Sequence, residues 1–596
     1  MSSPEPDRNR RARDAWRRAL ERTAPIAREP KRTLPLVIDR LATERGDASA
    51  LIAPGTTLSY RALAAQTHRY SRWAVEQGLA VGDVVAVVLD SCTDYLPLWL
   101  GITRTGAVAA LVNPQLTGEL LGHALDRVDP RHVVTSATHA DSLRSAAAAL
   151  RRTPRLWVHE GSHPGLESLA PEIARQSDEP LAEREHALPT LATLALYIYT
   201  SGTSGPPKAA RVSHYRLMQW SHWFAGLMDV SSADRMYNCL PLYHSVGGVI
   251  ACGATLVGGG AVVLRPRFSA SAFWADVVAE RCTLFQYIGE LCRYLVQQPE
   301  VGAEHGHALR LACGNGLRPE VWRPFQARFR IPWILEYYAS TEGNFSLYNC
   351  DDEPGAVGRI PGFLAHRLPV ALIRHDLASG EPKRGADGFC ERCAPDEPGE
   401  AIAPIAASAT RSGAFEGYAD PEASRRKVLR DVFRAGDTWY RSGDLLSCDR
   451  RGYYYFVDRI GDSYRWKGEN VSAAEVWAVL AQCRGVIDGA VYGIQIPDHD
   501  GQAGMAALVV TPGFDWRGFR RELEQRLPPY ARPVFVRLIA TVSATGTFRA
   551  RSGELKREGI DESVSDPLYV FDGASQSYQP LDAARRAAIA SGELRL

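Results

Sequence analysis

Short apolar runs, each set between stretches whose apolar residues recur at helical spacing, fill the chain from the end of a basic first segment to about Ala187. Val84-Val85-Ala86-Val87-Val88-Leu89 and His132-Val133-Val134 are examples. That alternation predicts a mostly parallel sheet flanked by helices. The run Thr193 to Thr200 feeds directly into a glycine loop, and strand ends of such sheets are where ligands usually bind. A second section of the same kind runs from His214 to about Arg330, with strands at Ala261 to Leu264 and Leu284 to Tyr287. Strand-like patterns at Val370 to Ile373, Glu400 to Ile405 and Tyr453 to Val457 predict a β-rich region. From Gly461 onward, Gly489 to Gly493, Met505 to Thr511 and Trp516 to Leu527 predict a small α+β domain. The glycine between charges in Asp458-Arg459-Ile460-Gly461-Asp462 suits a hinge.

The expected fold class is therefore α/β. A large N-terminal domain of parallel-type sheets with flanking helices carries a β-rich subdomain, and a small α+β C-terminal domain follows. The expected boundaries are a basic arm at 1–35, the large domain at 36–458, a hinge at 459–461 and the small domain at 462–596. Ser245 to Leu264 is an uncharged run long enough to suggest a membrane span, but Gly247, Gly248, Gly253 and Gly258 to Gly260 break it. Buried α/β structure explains it better.

At 596 residues and 45% apolar content the chain can bury large cores, and a net charge of +1 gives no global attraction for nucleic acid. The local exception is the first segment, where Arg8, Arg10, Arg11, Arg13, Arg17, Arg18 and Arg22 surround Trp16 and Leu20. This predicts a solvated arm, with a basic amphipathic helix on an anionic membrane as the alternative. The first residues are charged, unlike a signal peptide, and the 11 scattered cysteines suit a reducing compartment. The expected location is cytoplasmic, with at most peripheral membrane contact. Cys390 and Cys393 form one Cys-x-x-Cys pair without a matching second pair, so it is read as a turn feature and not a zinc site.

The loop Thr200-Ser201-Gly202-Thr203-Ser204-Gly205-Pro206-Pro207-Lys208 has the composition needed to wrap phosphates. Glycines let the backbone N–H groups approach one anion, the hydroxyls add donors, and Lys208 adds a positive charge. It is not a Walker A loop, which needs Ser or Thr directly after Gly-Lys. Downstream, in order, come Leu240-Pro241-Leu242-Tyr243-His244-Ser245, Gly314-Asn315-Gly316-Leu317-Arg318-Pro319, Tyr337-Tyr338-Ala339-Ser340-Thr341-Glu342, Tyr440-Arg441-Ser442-Gly443-Asp444-Leu445, and Asp458-Arg459 leading to Lys467-Gly468-Glu469-Asn470.

This ordered set resembles the adenylate-forming superfamily of acyl-CoA synthetases, peptide-synthetase adenylation domains and luciferases. Phe268 to Trp274, Gln286 to Leu295 and Tyr464 to Val471 are similar to the fatty acid transport protein and very-long-chain acyl-CoA synthetase branch. The resemblance implies that Thr200 to Lys208 hold the β- and γ-phosphates of ATP. It gives Thr341 the α-phosphate and Glu342 a Mg2+ ion, which prefers oxygen ligands. Tyr338 would stack on adenine beside Gly314, Asn315 and Gly316. Asp444 would accept from both ribose hydroxyls, Arg459 would support the ribose or phosphate side, and His244 would sit at the mouth of an acyl pocket. Trp220, Trp223 and Phe224 fall on the stretch expected near that pocket, where they either shorten it or simply pack. Trp466, Lys467 and Gly468 are the candidates for coenzyme A, and Gly461 for the pivot of a rotating C-terminal domain.

The implied reaction is a carboxylic acid, a long-chain fatty acid or, where the aromatics shorten the pocket, an aryl acid, plus ATP to acyl-AMP, then thiol attack by coenzyme A to give the thioester. One position departs from the branch. Where its motif ends Thr-Gly-Thr-Phe-Lys, this chain has Thr545-Gly546-Thr547-Phe548-Arg549. A planar guanidinium does not replace an ammonium at a tight site without a change of geometry. Two further readings follow from that departure. One is an enzyme that activates nitrite with ATP and couples it to an aryl amine. The other is a non-catalytic ATP-binding, lipid-handling protein.

Overall fold

The computed structural model describes residues 5–147, 150–200, 207–376, 380–406, 413–460, 464–466, 469–496, 502–541, 552–561, 563–573 and 575–591. The chain forms two compact units. The first takes in Met1–Gly202, Pro206–Pro369 and Ala403–Val428, the second Val370–Ile402 and Leu429–Leu596.

Two sheets build the first unit. One runs, from edge to edge, through Glu167–Ser168, Arg155–Val158, His132–Thr135, Val84–Val88, Val108–Leu111, Leu194–Thr200 and Lys208–Ser213. Its pairs are parallel except the last, which is antiparallel. Every residue of Val84–Val88 and Val108–Leu111 is buried, as expected of parallel strands covered on both faces. The second sheet runs through Ser346–Asn349, Ile334–Ala339, Leu311–Asn315, Leu284–Ile288, Arg235–Asn238, Ala261–Leu264, Ser49–Ala53 and Thr56–Ser59, parallel inside with an antiparallel strand at each edge. The uncharged run after His244 forms a π-helical turn, Ser245–Ala251, then a helix, Cys252–Val257, then the buried strand Ala261–Leu264. Among the described residues no helix is long and apolar enough to cross a membrane.

The basic first segment differs from expectation. It is not a solvated arm: the helix Glu5–Thr23 is docked along the helix His214–Leu227. Ala12, Ala15, Trp16 and Ala19 are buried, and small residues set the approach, since a side chain on Gly226 would lie 2.5 Å from the Ala19 Cα. Trp16 fits edge-on against Trp223 at 5.8 Å and Tyr348 at 5.6 Å. Arg18 and Arg22 donate to the carbonyls of Gly226 and Val230 at 3.2 and 2.9 Å, acceptors in the last turn of the partner helix and just beyond its end. Charge alone reads as solvent-facing, yet an alanine-lined stripe and carbonyl acceptors give this helix a buried side.

The second unit holds an antiparallel run, Ala371–Ile373, Gly399–Pro404, Thr438–Cys448 and Tyr453–Arg459. It also holds a five-stranded sheet of Val486–Gln495, Gln502–Val510, Phe535–Leu538, Leu568–Asp572 and Ser577–Pro580. Helices Ala473–Leu480 and Trp516–Arg526 bury Trp477, Leu480, Phe519 and Leu523 in its core. All 11 cysteines are free thiols, Cys390 and Cys393 included.

Candidate active site

The strand Leu194–Thr200 pairs with Lys208–Ser213 so that Thr200 and Lys208 stand opposite each other. They are the described ends of the glycine loop; Ser201, Gly202, Thr203, Ser204 and Gly205 lie outside the described residues. The Lys208 ammonium lies over the ring of Tyr418, 5.9 Å from its centre. Tyr418 is 5% exposed, and its hydroxyl bonds the side chains of Glu342 and Thr200. Burial and the neighbouring Glu342 carboxylate push that phenol well above its ordinary range. Glu342 Oε1 stands 3.6 Å from the Lys427 ammonium. Thr341 shares a 3.1 Å hydroxyl–hydroxyl bond with Ser245, the first residue of the π-helical turn.

That turn needs its glycines. A side chain on Gly248 would sit 2.0 Å from the Leu242 carbonyl oxygen, and one on Gly247 would sit 2.5 Å from that of Pro241. The turn thereby folds back on Leu240 to Leu242 and presents His244 and Ser245 at its start, a placement typical of π-bulges at functional sites. His244 packs its ring 4.6 Å from Tyr243.

Tyr338 lies on the strand Ile334–Ala339, with its ring 5.8 Å from Phe345. Gly314 and Asn315 end the neighbouring strand, and Gly316 follows at φ +77°, a conformation that favours glycine. Beneath this segment lies a residue that motif reading did not single out. Glu336 is 1% exposed and accepts from the Tyr287 hydroxyl at 2.5 Å, the Leu317 N–H at 3.0 Å and the Gly316 N–H. Burial pushes its carboxyl up to about 8, against the lowering effect of those three donors.

In the second unit, Asp444 and Arg459 are cross-strand partners, and the Arg459 Nε lies 3.4 Å from Asp444 Oδ1. Asp444 is 8% exposed. Trp466 is buried in that unit's core, at the end of the short strand Tyr464–Trp466, while Lys467 and Gly468 lie outside the described residues, as do Gly461 and Arg549. The three aromatics expected near a pocket divide. Trp223 packs on Trp16 and Tyr348, and Phe224 is buried against Tyr337 and Tyr348, so both serve the core beneath the docked N-terminal helix. Trp220 is half-buried under the guanidinium of Arg216.

The first unit thus gathers Thr200, Lys208, Ser245, Thr341 and Glu342 with Tyr418 and Lys427, two residues not singled out from sequence. Lys427 ends the run Arg425-Arg426-Lys427, which reads as a solvated charge cluster, and Tyr418 sits in no motif. Two lysines, four hydroxyls and one carboxylate stand near the described ends of a loop at a strand end, donors and charges of the kind that can take a polyphosphate. The Glu342 carboxylate and the Thr341 hydroxyl are oxygen donors of the kind Mg2+ takes alongside phosphate.

The AMP-binding enzyme family matches residues 38–384. The chain is 42% identical over 525 residues to long-chain fatty acid transport protein 3 of Mus musculus, covering 87% of this chain and 78% of that protein. It is 35% identical over 553 residues to a medium/long-chain-fatty-acid–CoA ligase of Mycobacterium tuberculosis, covering 92% and 90%. Its fold is similar to that of ATP-bound MatB from Rhodopseudomonas palustris, with a TM-score of 0.73 at 24% identity, covering 89% and 99%.

Proposed function

Because this chain belongs to the AMP-binding enzyme family, we propose that it is an ATP-dependent, AMP-forming ligase that activates a carboxylic acid as acyl-AMP and passes the acyl group to coenzyme A. The observation that carries the reading is the Thr200, Lys208, Thr341 and Glu342 cluster around the glycine loop, with Tyr418 tying three of these together. One oxygen of the acid attacks the α-phosphorus, the bond to the bridging oxygen breaks, and pyrophosphate leaves with the electron pair. Coenzyme A sulfur then attacks the acyl carbon and AMP departs.

Charge develops on the phosphate oxygens in the first step, and fixed donors there act most strongly. Lys208 offsets charge on the β- and γ-phosphates. The Thr341 hydroxyl, oriented by Ser245, donates to an α-phosphate oxygen. Tyr338 takes the adenine face, with Gly314 to Gly316 close by, and Asp444 takes the ribose hydroxyls with Arg459 beside it. Mg2+ held by Glu342 would neutralise the phosphate tail. Arg549 is assigned the branch lysine's place.

A long-chain fatty acid is the favoured substrate, because the fatty acid transport protein and fatty-acid–CoA ligase relatives are named for such acids. Trp223 and Phe224 are committed to packing, which removes one argument for a short aryl pocket. The nitrite-activating and non-catalytic readings draw no support from these relatives. Eleven free thiols suit a cytoplasmic enzyme, peripheral to a membrane at most.

A panel of saturated acids of medium to very long chain, aryl acids, and nitrite with an aryl amine tests the proposal by AMP release, with and without coenzyme A. Release driven by long-chain acids, with thioester only when coenzyme A is present, is the expected result. Release driven by nitrite alone would replace the acid reading.

A further inference from the structure

Of the three successive cations Arg425, Arg426 and Lys427, only the last turns inward. Arg425 and Arg426 are exposed, and Arg426 pairs with Glu422 on their own short helix, Pro421–Arg425 and the residue after it. Lys427, with its side chain 21% exposed, reaches the Glu342 carboxylate, 9% exposed, at 3.6 Å.

The segment that carries Lys427 is fastened to the phosphate-loop strand. Arg211 N–H donates to the Gly417 carbonyl at 2.9 Å, and Ala419 N–H donates to the Ala209 carbonyl at 2.8 Å. Glu416 accepts from both the N–H and the hydroxyl of Ser213, each at 2.7 Å. The Asp420 carboxylate caps the helix by accepting from Glu422 N–H. The strand that begins with Lys208 therefore also positions Tyr418 and Lys427, which meet at the same carboxylate, Glu342.

We propose that Lys427 is a second phosphate-binding cation of the ATP site, which exchanges its contact with Glu342 for an oxygen of the β- or γ-phosphate when the nucleotide binds. The inference rests on the ATP-dependent reading above. Two features favour it over a purely structural ion pair. A polyphosphate carries several negative charges, and Lys208 is the one cation that the loop itself supplies. A lysine's flexible four-carbon stem lets its ammonium shift between neighbouring oxygens while the backbone stays fixed. The exchange also leaves Glu342 an oxygen for the metal that accompanies the nucleotide.

The test is equilibrium binding of Mg-ATP and of AMP to the full chain by calorimetry, for wild type, Lys427→Met, Lys427→Gln and Lys427→Arg. The neutral variants are expected to weaken Mg-ATP about tenfold, the size of one charge-assisted hydrogen bond, and to leave AMP affinity unchanged. Lys427→Arg is expected to recover most of the loss. Unchanged Mg-ATP affinity in the neutral variants, or equal weakening of AMP, overturns the proposal. So does failure of both neutral variants to fold, because Lys427 is then a structural ion partner. Wild type that binds no Mg-ATP defeats the ATP reading itself, whereas normal wild-type binding with unaffected variants defeats only the role of Lys427.

Discussion

Glu336 shows how one buried carboxyl fixes the backbone of Gly316 and Leu317, the segment proposed to flank the adenine. Three donors converge on it, two of them backbone N–H groups of Gly316 and Leu317. Its carboxyl titrates near 8 in the fold, against the ordinary carboxylate range when unfolded. The folded state therefore binds more protons between those values, and this contribution to stability is lost as pH rises toward and through 8. Thermal melting from pH 6 to pH 9 should show wild type losing stability with rising pH relative to Glu336→Gln, and parallel curves would contradict the assignment. The same variant should raise the KM for ATP more than it lowers kcat, because the segment it positions, Gly316 and Leu317, is proposed above to flank the base rather than the reacting phosphorus. At this scale the motifs marked Lys208, Thr341 and Glu342, which the structure brings together at the described ends of the loop, while the roles proposed for them and for Asp444 rest on the family resemblance. It was silent on Glu336, Tyr418 and Lys427. Their roles come from partners distant along the chain, and their own neighbours read as an ordinary strand, an ordinary loop and a solvated basic run.

Among the elements, the docked N-terminal helix was the least legible. Its arginines dominate any reading by composition, whereas its packing rests on Ala12, Ala15, Trp16 and Ala19 against Gly226, a contact with no local signature. Trp16→Ala should cost about 3 kcal/mol, the range for a fully buried large aromatic, measured by chemical denaturation. Because Trp16 and Trp223 are in ring contact, Trp16→Ala and Trp223→Ala should combine less than additively, and simple addition would place the two rings in separate sites. The strands, by contrast, were legible nearly to the residue. Val84–Val88, Ala261–Leu264 and Leu284–Ile288 fall on the apolar runs, because parallel strands buried on both faces read as near-continuous apolar stretches, the buried Gln286 being the exception. The π-helical turn at Ser245–Ala251 was visible only as glycines interrupting an apolar run. Its form depends on how closely Leu240 to Leu242 approach.

For the whole molecule, the ordered motifs identified the family because many weak signals at fixed order exclude chance together, although each alone has an ordinary structural reading. Stability at this scale is bounded on the acid side by buried histidines. Burial lowers His132, His214 and His222 each to about 4. A histidine kept neutral in the fold supports it fully above its unfolded pKa of about 6.5, and that support is lost as pH falls from there toward 4. The melting temperature should therefore drop between pH 6.5 and 5 and recover in part when His214 is replaced by Gln. A flat profile across that window would contradict the assignment of three neutral histidines.

In the proposed reaction an acid oxygen attacks the α-phosphorus of ATP at the Lys208 and Glu342 cluster. Turnover of a long-chain acid labelled with oxygen-18 in its carboxylate, followed by mass spectrometry of the nucleotide product, tests it most directly. AMP carrying one labelled oxygen, together with unlabelled pyrophosphate, is the expected product. Unlabelled AMP, or ADP in its place, would contradict it.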